Sequence, residues 1–206
     1  MSTVAVVPVK ALAEAKSRLA GALSPAERGA AALQFARHVV GAILDSRAVD
    51  RCAVISPDPV VLALAATLGA EPLAQTSSGL NPALEEARAW AIGAGADALL
   101  IVLGDLPWVT PADIAAIVAA AEPGPAVVLA PDHYGTGSNA LLLAPPAAIP
   151  FRFGRDSAAQ HTLVAAQRGV PLRRYVSPTV AFDVDTPADL AAWRAVAVRA
   201  PVEESV

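Results

Sequence analysis

The chain has 206 residues, of which 55% are hydrophobic and 17% are charged, and its formal net charge is -4. This composition excludes a disordered protein, and the acidic balance excludes a nucleic acid polymer as the main partner. The apolar run from Ala98 to Leu103, like every other apolar run of the chain, is too short to cross a bilayer, so we expect no membrane partner either.

The first residues, Met1 to Lys10, lead directly into a strand-like run without the features of a secretory signal. We therefore expect a cytoplasmic protein. The one cysteine, Cys52, lies in an apolar run and is expected to be buried and inert. The length favours one domain over residues 1–206 with a flexible tail at about 200–206, and the apolar surface leaves room for a homodimer.

Strand-length apolar runs alternate with longer amphipathic segments along the chain. Such alternation predicts an α/β fold in which helices cover a mostly parallel sheet. The predicted strands are Thr3 to Val9, Cys52 to Ser56, Ala98 to Leu103, Ala126 to Ala130 and Asn139 to Ala144.

Three helix starts share one pattern, a hydroxyl cap followed by proline and, three residues after the cap, an acid. They are Ser24 to Glu27, Thr110 to Asp113 and Thr186 to Asp189. A further helix is predicted to open at Asn81-Pro82 and to run to about Ile92. Helix stops are predicted at Gly69, Gly95 and Gly169.

The loop after the first strand carries Lys10, Lys16 and Arg18. Ligands bind open α/β sheets outside the carboxyl ends of the strands, and a polyphosphate needs several cations there. The loop has neither a GxGxxG nor a GxxxxGK[ST] motif, so it is not a known dinucleotide or phosphate loop. A solvated basic loop explains these residues equally well.

Three aspartates follow apolar segments. Asp105 follows an apolar strand, after Gly104, and Asp183 and Asp185 flank one valine. In a strand, residues two apart face the same side, so the last two carboxylates could converge on one ion. Turn or helix-capping roles are the alternative, but three such carboxylates together favour a Mg²⁺ site.

Two further segments indicate anion binding. The loop from Tyr134 to Asn139 contains two glycines, two hydroxyls and an amide, and is a candidate oxyanion cradle. The segment from Phe151 to Ser157 leads into a helix through Arg168, whose N-terminus could hold a small anion. Ordinary tight turns are the alternative for both. The three histidines, His38, His133 and His161, are interpreted as structural or solvent-facing residues rather than catalytic bases.

Taken in order, these segments resemble the phospholactate/phosphoenolpyruvate guanylyltransferase family, which serves coenzyme F-420 biosynthesis. The similarity extends over nearly the whole chain, and it rests on the order and spacing of motifs that are individually weak. The segments are Pro8 to Lys10, Lys16 to Leu19, Gly79 to Asn81, Gly104 to Pro107, Gly135 to Asn139, Phe153-Gly154 with Ser157, and Asp183 to Pro187.

The resemblance implies a nucleotidyltransferase with a glycosyltransferase-A-like, Rossmann-like fold and a mixed central sheet. It also implies GTP as substrate, Mg²⁺ as two bound ions, and a role for each matching residue. Asp105, Asp183 and Asp185 would be metal ligands and, with Lys16, catalytic. Ser138, Gly154 and Ser157 would bind the phosphorylated acid, and Lys10, Lys16, Arg18, Gly79 and Asn81 the nucleotide.

The implied reaction joins GMP to a phosphorylated three-carbon acid and releases pyrophosphate. Phosphoenolpyruvate is the favoured acceptor over 2-phospholactate and 3-phosphoglycerate, although shape differences among the three are worth only ~1–3 kcal/mol. A molybdopterin or sugar nucleotidyltransferase is one alternative, but the first loop lacks the Gly-x-Gly-x-Arg run of those enzymes. A nucleotide-binding module without turnover is the other.

Overall fold

The structure is a computed structural model that describes residues 1–121 and 124–197. The tail predicted at 200–206 lies outside these residues. The strands are β1 (Thr3–Pro8), β2 (Arg51–Ser56), β3 (Glu71–Ala74), β4 (Ala98–Val102), β5 (Ala126–Pro131), β6 (Ser138–Ala144) and β7 (Leu172–Arg174). They form one sheet in the order β3-β2-β1-β4-β6-β5-β7, in which β6 is antiparallel to both its neighbours and the other pairs are parallel. The predicted mostly parallel, mixed sheet is therefore confirmed.

Helices cover both faces of this sheet. They are α1 (Pro25–Ser46), α2 (Pro59–Leu68), α3 (Leu80–Gly93), α4 (Pro111–Ala119), α5 (Ser157–Gln167), α6 (Pro178–Ala181) and α7 (Pro187–Ala197). Helices α1, α2 and α4 pack on the face that receives Ala5 and Val7, while α3 and α5 pack on the face that receives Val4 and Val6. Alternating side chains are thus buried on both faces, which explains the continuous apolar runs. No described helix is both long and apolar enough to span a bilayer.

The three helix starts with a hydroxyl cap are confirmed. In α1 and α4 the cap side chain accepts the backbone N–H three residues later, and the acid at that position accepts the N–H of the cap residue. Before α7, the Asp189 carboxylate accepts the Thr186 N–H at 2.7 Å, and Thr186 Oγ1 accepts the Asp189 N–H at 3.3 Å. Each pair satisfies N–H groups that the first turn leaves without partners, so these boundaries are local.

The helix predicted from Asn81-Pro82 to about Ile92 is confirmed as α3, but it begins one residue earlier, at Leu80, with Gly79 as its cap. The Asn81 side chain is engaged elsewhere, with the backbone of Phe153. The three glycine stops are confirmed, since each has a positive φ at or just beyond a helix end. The angles are 86° at Gly69, 78° at Gly95 and 65° at Gly169.

Two strands escaped the sequence analysis. β3 and β7 lie at the two edges of the sheet, and both are short and partly exposed. β3 contains a proline and β7 two arginines, so neither is an apolar run. An edge strand needs only one pairing partner, and polar or proline residues there suit the exposed side.

The sheet topology gathers the candidate residues at one edge. Strands β1 to β4 are parallel, so the loops after them emerge together at their carboxyl ends. Because β6 runs in the opposite direction, its first residue, Ser138, lies at that same edge. The reversal of β6 is what brings Ser138 near the loops of β1 and β4.

Candidate active site

Lys16 lies in the loop after β1, directly before a 3-10 helix over Ser17–Leu19. Its backbone is left-handed, with a φ of 51°, which costs about 1 kcal/mol in a residue with a side chain. The side chain is only 7% exposed, and Nζ lies 2.6 Å from Asp105 Oδ2 and 3.5 Å from Asp185 Oδ1. The structure therefore brings Lys16 into contact with two of the three predicted aspartates.

Asp105 follows a close approach between two strand ends. A Cβ at Gly104 would lie 3.1 Å from Val9 Cγ2 and 3.3 Å from the Pro8 carbonyl oxygen, so glycine lets the loop of β4 press against the end of β1. One carboxylate oxygen of Asp105 binds Lys16, and the other, Oδ1, is buried without a hydrogen-bond partner. An orphaned buried carboxylate oxygen is costly unless a cation meets it.

Asp183 is held by Asn139, whose amide the sequence analysis assigned to a candidate oxyanion cradle. Asn139 Nδ2 donates to the carbonyls of Val180 and Ala181 at 3.0 and 3.2 Å and lies 3.5 Å from Asp183 Oδ1. Burial raises the pKa of Asp183 to about 6, and the negative charges of Asp105 and Asp185 add to the increase. Asp183 thus lies where a proton or a metal cation is favoured.

The chain around Asp185 is irregular rather than the strand on which the same-side argument relied. The expected alternation nevertheless holds, because Val184 is fully buried and its N–H donates to the Asp105 carbonyl at 3.4 Å. Asp185 Oδ2 accepts a hydrogen bond from Arg18 Nη1 at 2.8 Å, with the Arg18 side chain 74% exposed. The buried Val184 thus lies between two aspartates that are both more exposed, with side chains 19% exposed at Asp183 and 40% at Asp185.

We call Lys16, Asp105, Asp183 and Asp185 the carboxylate half of the site. Among the described residues, no three His, Cys, Asp or Glu side chains converge as they stand on a point that could hold a metal ion. Lys16 Nζ instead contacts Asp105 and Asp185. The donor set is still that of a hard divalent cation, since it consists of carboxylate oxygens, one of them orphaned and one with a raised pKa.

A small hydrophobic cluster packs next to the carboxylate half. This site cluster consists of Leu19, Leu23, Phe35, Val184 and Leu190, and it joins the Lys16 loop, α1, the Asp183 segment and α7. Trp108 and Phe182, beside Asp105 and Asp183, stack with ring centroids 3.8 Å apart. Segments distant in sequence are thereby packed into one unit.

Ser138, Ser157 and His161 form a neutral network that we call the serine–histidine half. Ser157 Oγ donates to Ser138 Oγ at 3.1 Å, and His161 Nδ1 lies 3.0 Å from Ser138 Oγ. The Arg152 N–H donates to His161 Nε2 at 2.9 Å. The two serines are 3% and 2% exposed and the histidine 0%. Burial, aided by the charge of Arg152, lowers the pKa of His161 to about 4, so the ring is neutral at pH 7.

Gly154 lies beside this half with a φ of 124°, and no atom lies within 4 Å of the position where its Cβ would be. The space beside Gly154 is therefore open, whereas both serine side chains are buried. The two halves adjoin, because Asn139, next to Ser138 in the chain, contacts Asp183.

Two anion-binding predictions need correction. In the glycine loop, Asp132 accepts the N–H groups of Gly135 and Thr136, so these groups are not available as an oxyanion cradle. At the start of α5, the N–H groups of Ser157 and Ala158 donate to the carbonyls of Gly154 and Thr136. These four N–H groups are therefore hydrogen-bonded within the protein and do not bind a ligand.

The predicted nucleotide residues lie at the same sheet edge. Lys10 is exposed directly after β1, and Gly79 caps α3 with a φ of 94°. The Asn81 side chain donates to the Phe153 carbonyl and accepts the Phe153 N–H, both at 2.9 Å. Asn81 thus ties the nucleotide-side segment to the chain leading to Gly154.

Sequence reasoning set aside two residues that the structure places in the site. His161, interpreted as structural or solvent-facing, is buried as expected but contacts Ser138. The signal was its position four residues after Ser157, which puts both on one helix face. His133 Nδ1 lies 3.8 Å from Asp183 Oδ1, and no pattern in the sequence indicates this contact.

The chain is similar to known guanylyltransferases. Residues 3–193 match a family model described as guanylyl transferase CofC like. A phosphoenolpyruvate guanylyltransferase of Rubrobacter xylanophilus is 50% identical over 191 residues, 93% of this chain and 93% of that protein. A 3-phospho-D-glycerate guanylyltransferase of Colwellia psychrerythraea is 32% identical, over 92% of this chain and 90% of that protein.

Solved structures show the same architecture at low identity. A nucleotidyl transferase from Methanothermobacter superposes with a TM-score of 0.71 at 17% identity, covering 96% of this chain and 98% of that one. At this identity the likeness concerns the fold alone.

Proposed function

This chain belongs to the CofC-like guanylyltransferase family and is a nucleotidyltransferase; from this premise we propose that it transfers GMP from GTP to phosphoenolpyruvate, releases pyrophosphate, and serves coenzyme F-420 biosynthesis. The acceptor is proposed from the relatives, among which the 50% identical Rubrobacter protein is named for phosphoenolpyruvate. The observation that carries the proposal is the meeting of Lys16 with Asp105 and Asp185, from three distant segments, beside the serine–histidine half.

The proposed reaction requires little proton transfer by the protein. A phosphate oxygen of the acid attacks the α-phosphorus of GTP, a new P–O bond forms, and the bond to the β-phosphate breaks with loss of pyrophosphate. The attacking phosphate is already an anion at neutral pH, so alignment and charge neutralisation suffice. The carboxylate half agrees with this, since it offers cations and cation ligands.

We assign the cations of the first loop to the nucleotide. Lys16, which is nearly buried, would neutralise charge at the reacting phosphates, while the exposed Arg18 and Lys10 would hold the departing pyrophosphate. Gly79 and Asn81 would position the nucleoside through the N-terminus of α3.

Asp105, Asp183 and Asp185 would hold Mg²⁺, as two ions. When bound, the metal supplies positive charge that balances the phosphate oxygens in the transition state. The raised pKa of Asp183 and the orphaned oxygen of Asp105 both support a cation here.

The test is a direct assay. Purified protein is incubated with GTP, Mg²⁺ and each of phosphoenolpyruvate, 2-phospholactate and 3-phosphoglycerate, and pyrophosphate and the guanylylated acid are followed by phosphorus NMR. We expect the new phosphoanhydride with phosphoenolpyruvate at the highest kcat/KM. Absence of product with all three acids would contradict the proposal, and a higher kcat/KM with another acid would reassign the acceptor.

A further inference from the structure

The hydrogen-bond donors around His161 can be assigned from the contacts. The Arg152 N–H can only donate, so His161 Nε2 accepts it at 2.9 Å and carries no proton. The ring is neutral and fully buried, so its proton lies on Nδ1. Nδ1–H therefore donates to Ser138 Oγ at 3.0 Å.

This tautomer determines what the serine pair can offer. The two hydroxyls have one proton each, and their mutual contact at 3.1 Å uses one of these protons. Because Nδ1–H donates to Ser138 Oγ and cannot accept from it, the Ser138 hydroxyl proton stays uncommitted and is directed away from the ring. A histidine with the opposite tautomer would instead accept that proton and leave the pair without a spare donor.

We propose that His161 is a positioning residue that keeps the Ser138–Ser157 pair as a hydrogen-bond donor toward an anionic oxygen of the acceptor acid. This inference rests on the proposed function. Gly154 lies next to the pair, because its carbonyl accepts the Ser157 N–H at 3.2 Å, and it leaves the place of a Cβ open on the side of the proposed ligand. A spare hydroxyl donor suits a carboxylate or phosphate oxygen, which only accepts.

The structure also explains why the tautomer is stable. His161 is fully buried next to the serines, and its ring packs edge-on against Phe153 with centroids 5.0 Å apart. Phe153 is in turn held at both backbone groups by Asn81. The Arg152 N–H is thereby kept in place to enforce the Nδ1–H form.

Two matched variants separate the two ring nitrogens. An asparagine amide occupies about the position of Nδ1 and a glutamine amide about that of Nε2. His161→Asn therefore keeps a donor for Ser138, while His161→Gln keeps an acceptor for the Arg152 N–H but loses the donor. We expect His161→Gln to raise the KM for phosphoenolpyruvate about tenfold and His161→Asn less than about threefold, with the KM for GTP unchanged in both.

A double variant and a spectrum complete the test. In a Ser138→Ala background, His161→Gln should raise the KM for the acid no further, because the contact it removes is already lost. Nitrogen-15 NMR of the wild type, with the His161 signals identified through His161→Gln, should show a protonated Nδ1 and a bare Nε2 at pH 7.

The outcomes are distinguishable. A wild type without turnover on any of the three acids overturns the proposed function and this inference with it. In an active enzyme, the inference alone is overturned by equal KM shifts in the two variants, by a matching shift in the KM for GTP, or by a ring protonated on Nε2.

Discussion

The two halves of the site differ in the charge and the hydrogen-bond partners of their buried polar groups. The carboxylate half contains more negative than positive charge, leaves one oxygen of Asp105 without a partner, and raises the pKa of Asp183. The serine–histidine half is neutral, and its contacts leave only one proton over. The first half therefore suits the proposed cation, while the second is nearly complete and has one hydroxyl proton left over.

The largest expected effect on turnover comes from the carboxylate half. Asp183→Asn and Asp105→Asn should each lower kcat by about 10³-fold, because each removes a proposed metal ligand, and a loss of this size corresponds to about 4 kcal/mol. Steady-state turnover with saturating Mg²⁺ measures it, and circular dichroism checks the fold. Asp45→Asn, an identical change at an exposed position of α1, should leave kcat unchanged. Near-normal turnover of Asp183→Asn would remove the carboxylate half from the mechanism.

The pH dependence of stability should separate the halves by sign. Asp183 has a folded pKa raised from 3.8 to about 6, so its stabilising protonation is present below pH 3.8 and lost as the pH rises through 6. His161 has a folded pKa lowered from 6.5 to about 4, so its stabilising contribution is present above pH 6.5 and lost as the pH falls through 4. Each shift corresponds to about 3 kcal/mol.

The contributions of Asp183 and His161 to stability oppose each other between pH 4 and 6, so they cannot be separated in the wild type. Variants of each residue separate them. In chelator, the stability of Asp183→Asn relative to wild type should increase from pH 4 to 7, and that of His161→Asn should increase from pH 6.5 to 4. Urea unfolding followed by circular dichroism at several pH values measures both. Parallel slopes for the two variants would mean that the contrast between the halves is wrong.

Within the carboxylate half, Lys16→Met should lower kcat/KM for GTP by about 10²-fold, because a nearly buried ammonium beside the reacting phosphates is lost. The matched control is Arg37→Met, which removes an exposed cation from α1. Initial rates at varied GTP measure the effect. Equal losses in the two variants would show that net charge, rather than position, matters.

The smallest expected effect on substrate binding comes from the serine–histidine half. Ser157→Ala should raise the KM for phosphoenolpyruvate about fivefold and leave the KM for GTP unchanged, since one neutral hydrogen bond is worth about 1 kcal/mol. Thr67→Ala, which removes an exposed hydroxyl from α2, serves as control. A change confined to the KM for GTP would place Ser157 on the wrong substrate.

Much of this molecule could be predicted from local patterns. The capped starts of α1, α4 and α7 depend on residues three apart, and the buried strands on continuous apolar runs. The family resemblance noted in the sequence is confirmed by the family model and by the relatives. The start of α3 lies one residue before the predicted one because the expected cap, Asn81, has a distant partner in Phe153.

The sequence by itself determined the helix caps, the apolar strands and the order of the acidic, basic and glycine-containing segments, because each depends on neighbours within a few residues. Only the tertiary structure decided the edge strands, the contact of Lys16 with Asp105 and Asp185, and the hydrogen bonds among Ser138, Ser157 and His161. These depend on partners separated by up to 169 positions, such as Lys16 and Asp185. No local pattern encodes which distant carboxylate or imidazole a side chain meets, since chain topology and packing select it.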